Sequence, residues 1–218
     1  MIFASNANLR PMQENVYTGG VATGLRERKK QETREALTRA ALELFAERGY
    51  DETTLAEIAE AAGVSTRTIF AYFPSKEDIL FATTEAMCDA LGDALRERPE
   101  GTDALTALRE FILASAHKKT DLDHKLGHVI AEDATLVSHK RARILRLQEE
   151  LAAAIADDLG VGPEDLRPQV AAASISAAFE VLEKQDRGLS RAPTADEIAA
   201  AIDPIIAFVR AGLHAFPE

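Results

Sequence analysis

The sequence predicts an all-α fold on three observations. Apolar residues recur at helical spacing, i, i+3, i+4 and i+7, along most of the chain after residue 24. No run of alternating β-branched residues between turn residues indicates a strand. Glycine and proline interrupt the helical pattern at intervals that leave about nine helices. No fixed internal period indicates a repeat protein.

Composition limits the class of protein. The 218 residues can bury a core without disulfides or metals, and a single cysteine, Cys88, cannot form an intramolecular bridge, which favours a reducing compartment. The first residues lack the basic start and apolar run of a secretory signal. No uninterrupted apolar stretch approaches the roughly 20 residues of a membrane span. These features predict a cytoplasmic protein with no membrane partner.

Charge is unevenly distributed along the chain. The net charge of −11 argues against a protein that coats nucleic acid over its whole surface. Residues 26–34, RERKKQETR, nevertheless carry five basic side chains against two acidic ones. A basic N-terminal segment on an acidic body favours phosphate contact at one end only, although an ordinary solvated helix face has the same pattern.

The N-terminal third of the chain predicts an arm followed by a helix-turn-helix domain. Residues 1–24 contain Asn, Gly, Pro and Thr without an apolar period, and we expect them to be disordered. In residues 25–80, a first helix ends at Gly49. A second helix begins at the capping box of Thr54 and ends at Gly63. A third runs from Ser65 to Pro74, and this order of short helices is typical of a helix-turn-helix.

The third helix carries side chains that suit the major groove of DNA. Arg67 lies in its first turn, between Thr66 and Thr68, and an arginine there can pair with guanine O6 and N7. Tyr72 and Lys76 follow at positions where a hydroxyl and an ammonium group can hold phosphates, and Thr54 offers a further hydroxyl. Taken singly, each of these residues is explained equally well as a solvent-facing or core side chain. Their order favours nucleic-acid binding.

The stretches ALELFAERGYDETTLAEIAEAAGVS and TIFAYFPSKEDIL resemble the DNA-binding domain of the TetR family of bacterial transcriptional regulators. The resemblance spans residues 26–80. The sequence departs from the family at three positions. Arg67 stands where many members have glycine, and Phe70 stands where many have a tyrosine that hydrogen-bonds a phosphate. Ala71 stands where related sequences often have arginine. Phe70 cannot donate that hydrogen bond, so an apolar contact with a thymine methyl group or a sugar is expected. The residues that the resemblance places against DNA are Thr66, Arg67, Thr68, Phe70, Tyr72 and Lys76.

Residues 81–218 are predicted to form a larger helical domain for dimerisation and ligand binding. A single helix-turn-helix covers few base pairs, and specific binding usually needs a symmetric pair of half-sites. By the resemblance, the last two helices supply the dimer surface; the alternative is that their apolar stripe packs inside its own domain. The predicted interface residues are Ala173, Ala177, Ile198, Ile202, Ile205 and Val209.

The helices between the two ends are expected to enclose a small hydrophobic effector. Phe111, Phe179 and Glu180 are candidate pocket residues, with core packing as the alternative for each phenylalanine. The segment HKRARILRLQEELAAAIADDLG resembles TetR regulators that bind acyl-CoA-like ligands. Effector binding would change the spacing of the two recognition helices of the dimer.

Histidines in residues 117–128 raise the question of a metal site. His117, Asp121, His124 and His128 would share one face of a continuous helix, and imidazole with carboxylate can bind a transition metal. The segment KKTDLD favours a helix boundary with Asp121 or Asp123 as its cap, and that boundary would separate the four side chains. We therefore predict no metal and no other cofactor.

Catalytic motifs are missing from the sequence. We find no phosphate-binding glycine loop, nucleophile elbow or HExxH pair, and no histidine lies near Cys88. We predict that the protein is not an enzyme. The expected function is that of a ligand-responsive repressor that binds a palindromic operator as a homodimer. A transcriptional activator and a helical scaffold protein are the alternatives.

Overall fold

A computed structural model describes residues 18–116, 120–162, 164–186, 188, 191 and 193–215, with side chains from residue 25. Within these residues the chain is helical throughout, with no strand, which confirms the predicted all-α fold. The helices are α1 (Thr18–Arg48), α2 (Leu55–Ala61), α3 (Thr66–Phe70), α4 (Lys76–Leu80), α5 (Ala82–Arg96), α6 (Ala104–Ala116), α7 (Asp121–Glu132), α8 (Ala134–Leu159), α9 (Leu166–Asp186) and α10 (Ala195–Ala215).

Two boundaries differ from those predicted. Helix α1 begins at Thr18, so residues 18–24 are helical and the predicted disordered arm is too long; extending an existing helix costs little per residue. Residues 1–17 lie outside the described residues. The described part of the chain has ten helices where about nine were expected, because α4 ends at Leu80, Phe81 interrupts the helix, and α5 starts at Ala82.

The chain divides into two units, residues 1–36 and 37–218. In the first unit, residues 25–32 of α1 are exposed, and they include four of the predicted basic side chains. Pairs one turn apart support the helix here: Arg28 lies 3.4 Å from Glu32, and Gln31 donates a hydrogen bond of 2.8 Å to Glu35.

The second unit contains two hydrophobic cores, and the N-terminal core forms around α2 and α3. Phe45, Ile58, Ile69 and Phe73 are almost completely buried in it. Two leucines from later helices, one in α7 and one in α8, complete this cluster. Its members are Leu37, Ala41, Leu42, Phe45, Ile58, Ala59, Ile69, Phe73, Ile79, Leu80, Phe81, Leu126 and Leu136.

The C-terminal core is formed by apolar faces of α5, α6, α8, α9 and α10. Ion pairs at its rim connect helices that are distant in sequence. Arg98 lies 2.7 Å from Asp158, which also accepts a hydrogen bond from the backbone of Ala104 at the start of α6. Arg109 of α6 likewise forms an ion pair with Asp203 of α10, at a distance of 2.6 Å. These pairs add polar contacts between helices that the apolar core already holds together.

A cluster of charges joins α8 to α4 and α5. The Arg143 guanidinium lies within 3.2 Å of Glu77, 3.5 Å of Asp78 and 2.9 Å of Glu85, and its side chain is only 16% exposed. It also lies 4.4 Å from the centre of the Phe81 ring, at the break between α4 and α5. We call these five residues the Arg143 cluster.

Candidate nucleic-acid interface

Local capping interactions set the geometry of the helix-turn-helix. The Thr54 side chain accepts a hydrogen bond from Glu57 N, and the Glu57 carboxylate accepts one from Thr54 N, which is the predicted capping box. Gly63 has φ +67°, the left-handed conformation that lets the chain turn sharply after α2. Ser65 then caps α3 by accepting a hydrogen bond of 3.1 Å from Thr68 N. Ile69 is fully buried and anchors α3 to the N-terminal core.

The opposite side of α3 is exposed and forms what we call the recognition face: Thr66, Arg67, Phe70 and Ala71. All four residues are exposed. Phe70 lies four positions after Thr66 and three after Arg67, and Ala71 lies four after Arg67, so they share one face. The Phe70 ring is 57% exposed. The structure therefore brings together three of the predicted DNA-binding residues and adds Ala71.

Thr54 and Thr68 have partners within the protein. The Thr68 hydroxyl lies 2.8 Å from the Ser65 hydroxyl, and the Thr54 hydroxyl donates a hydrogen bond of 2.8 Å to Glu57. The hydrogen bonds from Thr54 lower the pKa of the Glu57 carboxyl. A phosphate at the start of α2 would have to compete with this carboxylate. DNA contact by Thr54 and Thr68 remains a prediction.

Lys76 has a structural role that the sequence analysis missed. Its ammonium group donates hydrogen bonds to the backbone oxygens of Tyr50 (2.7 Å) and Thr53 (3.0 Å), and it lies 4.1 Å from the centre of the Tyr50 ring. Burial, followed by the field of nearby acidic groups, raises the pKa of Tyr50 to about 12. Two of the three N–H donors of Lys76 thus tie α4 to the loop before α2. Tyr72 is half-buried against the N-terminal core. Phosphate contact by Lys76 and Tyr72 remains a prediction.

The predicted dimer stripe on α10 divides between two faces of the helix. Ile202 is buried in the C-terminal core, and Ile198 is partly buried against it. Val209 is also a member of that core, but it lines a groove on the outer face as well. The prediction of an outer position is corrected for Ile202, since a stripe at helical spacing does not show which way it faces. Dimer contact by Ile198 and Val209 remains a prediction. Ile205 is half-buried at the outer face, while Ala173 and Ala177 of α9 are exposed.

The outer face of α9 and α10 is apolar. Phe208, which the sequence analysis missed, is 76% exposed, and Val170 and Val181 are exposed on α9. Phe208 lies three residues after Ile205, so writing out both faces of α10 would have found it. A groove of about 240 Å³ lies on this face and is lined by Ser174, Ala178, Pro204, Ile205, Phe208 and Val209. We call this face, together with Val170, Ala173, Ala177 and Val181, the outer α9–α10 surface.

The composition of α10 is unusual for a surface helix. By length and composition alone, this helix is long and apolar enough to cross a membrane. Only 17% of the residues in its 18-residue apolar stretch are buried within the protein. The helix also carries Asp203, which pairs with Arg109 of α6, and Arg210, which pairs with Asp103 just before α6. These pairs lie beside the face of α10 that packs on the C-terminal core through Ile202, Ile206 and Val209, whereas Phe208 faces outward.

The candidate effector residues lie at the edge of the C-terminal core. Phe111 and Phe179 are partly buried and pack against it. The Glu180 carboxylate is held by Arg141 of α8 through two hydrogen bonds of 3.0 and 3.1 Å, which lower its pKa. Their role in effector binding remains a prediction.

The histidines do not lie on one continuous helix. Helix α6 ends at Ala116, and α7 begins after Thr120, whose hydroxyl caps it together with Asp123. His117 lies outside the described residues. His124 and His128 contact each other edge to face, with ring centres 4.9 Å apart, and a ring nitrogen of His124 lies 3.0 Å from the backbone oxygen of Asp186. Among the residues with described side chains, no group of three or more His, Cys, Asp or Glu side chains could hold a metal ion.

A helix-turn-helix with an exposed recognition face, followed by a larger helical domain, defines a class of protein: DNA-binding transcriptional regulators. Residues 37–83 match the family described as bacterial regulatory proteins, tetR family. The chain is 33% identical over 172 residues to the HTH-type transcriptional regulator TcmR of Streptomyces glaucescens, covering 74% of this chain and 76% of TcmR. The chain belongs to the TetR family.

Solved structures of other regulators and related chains share the fold. Salmonella enterica GusR is 22% identical, with a TM-score of 0.61 over 84% of this chain and 96% of that one. FadR of Thermus thermophilus, a repressor whose structure contains lauroyl-CoA, is 24% identical, with a TM-score of 0.58 over 85% of this chain and 96% of that one. At these identities the likeness shows the architecture.

Proposed function

We propose that the protein is a cytoplasmic, non-enzymatic repressor that binds a palindromic operator as a homodimer and releases it when a small hydrophobic effector binds. The observation that carries the DNA-binding part is the recognition face on α3: Arg67 is exposed, while Ile69, two residues later, is buried in the N-terminal core. A short helix anchored in this way presents side chains to base edges without moving relative to its core.

Support for a homodimer comes from the outer α9–α10 surface, which is apolar and exposed. A twofold interface uses the same patch on both subunits, and aromatic residues next to a groove are typical of the energetic centre of an interface. Phe208 lies beside the groove, and the small side chains Ala173 and Ala177 allow close approach of a second helix. A second copy of this surface would cover the apolar face of α10.

Replacing Arg67 by alanine is expected to weaken operator binding by about tenfold or more, because the paired hydrogen bonds to guanine would be lost in both half-sites. Fluorescence anisotropy on duplexes tiled across the DNA flanking the gene measures this, at two salt concentrations. Wild-type binding is expected at one tile and should weaken steeply with salt, since phosphate contacts release counterions.

Arg96→Ala is the matched control for Arg67→Ala. Arg96 is also an exposed arginine, but it lies on α5 and pairs with Asp93 and Glu150. It should leave operator affinity unchanged. Equal binding of wild type and Arg67→Ala to the same tile would contradict the assignment of α3, and weak binding to random and flanking duplexes alike would favour the scaffold alternative.

The effector class proposed is acyl-CoA. This rests on the resemblance of the α8 segment and on the lauroyl-CoA bound to FadR. Adding lauroyl-CoA to the operator complex is expected to raise the apparent Kd for DNA by about 5-fold to 150-fold, the usual range of allosteric coupling. Free CoA and laurate are the controls. An unchanged Kd with intact operator binding would exclude the acyl-CoA class and leave the repressor proposal standing.

A further inference from the structure

Phe70 is an exposed aromatic side chain in the middle of a face that otherwise carries polar or small groups. Its ring is 57% exposed, although its neighbour Ile69 is fully buried. Phe70 is not a member of the N-terminal core and does not pack against it. The ring therefore has no packing role in the described part of the chain that accounts for it.

The chemistry of the ring limits what it can recognise in DNA. A phenylalanine has no hydrogen-bond donor or acceptor, so it cannot hold a phosphate or pair with the polar edge of a base. In the major groove the apolar group that distinguishes one base from the others is the C5 methyl of thymine. Contact with a sugar would bury the ring as well, but it would carry no sequence information.

The position of Phe70 relative to Arg67 gives the contact a register. The two side chains lie three residues apart on one helical face, which separates them by about 4.5 Å along the axis of α3. One base-pair step is about 3.4 Å. A base contacted by Phe70 therefore lies within one or two steps of the base pair that Arg67 contacts.

We propose that Phe70 is a specificity-determining residue that packs on the C5 methyl group of a thymine, one or two base pairs from the guanine paired with Arg67. This inference rests on the proposed function, because it requires operator binding by the recognition face. Ala71, the next exposed residue of that face, is small enough to let the duplex approach the ring. The operator half-site thus contains a thymine whose methyl group contributes to affinity.

Replacement of thymine by deoxyuridine tests the contact, because it removes the methyl group and leaves base pairing intact. The operator is first obtained by selection from random duplexes with the wild-type protein. Each thymine is then replaced in turn, and Kd is measured by anisotropy. At one thymine per half-site, deoxyuridine is expected to weaken wild-type binding by about fourfold per methyl group. Phe70→Ala should bind the thymine and deoxyuridine duplexes equally, whereas Phe70→Leu should keep part of the difference.

Two controls separate the outcomes. Arg67→Ala should bind more weakly but should still distinguish thymine from deoxyuridine. Thermal melting of Phe70→Ala should match that of wild type, since the ring is exposed. The proposal is overturned if deoxyuridine has no effect at any thymine, or if Phe70→Ala retains the wild-type ratio. If selection enriches no duplex, the proposed function fails, and this inference fails with it.

Discussion

Replacement of Arg143 by methionine is expected to lower the free energy of unfolding by about 3 kcal/mol. The variant keeps an apolar stem beside Phe81 but removes the cation that lies between Glu77, Asp78 and Glu85. The three carboxylates then repel one another, and their partial burial weakens the screening by water. Urea unfolding followed by circular dichroism measures the change in midpoint and slope.

Arg146→Met is the matched control for Arg143→Met. Arg146 also belongs to α8 and pairs with Glu85, but its side chain is 56% exposed. An exposed pair contributes about 1 kcal/mol or less, so this variant should unfold almost as wild type does. Arg143→Lys should lie between the two, because lysine restores the charge without the planar fork. Equal loss in both methionine variants would contradict a special role for the Arg143 cluster.

Phe208→Asp is expected to dissociate the proposed homodimer into monomers, raising its dissociation constant by on the order of a thousandfold. The substitution acts twice in a twofold interface, and each copy exchanges a buried ring for a charge. Because Phe208 is 76% exposed in the isolated chain, the fold of the monomer should not depend on it. Sedimentation velocity over a range of concentrations measures the oligomeric state.

Leu145→Asp is the control for Phe208→Asp. Leu145 is another exposed large apolar residue, but it belongs to α8 and is not one of the residues of the outer α9–α10 surface. Its variant should remain dimeric. A dimer that survives Phe208→Asp unchanged would show that the subunits meet elsewhere, and operator affinity measured on the same samples would show whether pairing of half-sites depends on this surface.

The helix-turn-helix was predictable because its signals are local. The capping box of Thr54, the cap at Ser65 and the turn at Gly63 lie within three or four residues of the groups they bond, so the sequence shows each signal complete. The helical class followed from the apolar period in the same way.

The interactions that were missed involve residues distant in sequence. Lys76 bonds backbone oxygens 23 and 26 residues earlier, and Arg143 reaches carboxylates 65 and 66 residues earlier. Neither pairing leaves a periodic signal. Phe208 was missed for a different reason: α10 is apolar on two faces, and spacing alone does not distinguish the face that packs on the core from the face that points outward.

The two leucines that close the N-terminal core matter for protein engineering. The segment that matches the family, residues 37–83, ends well before Leu126 and Leu136. A chimera that transplants only this segment onto another regulator would leave the core open on the side where the two leucines pack. Exchange of operator specificity between family members therefore requires either recognition-face substitutions alone or a graft that brings compatible residues from α7 and α8.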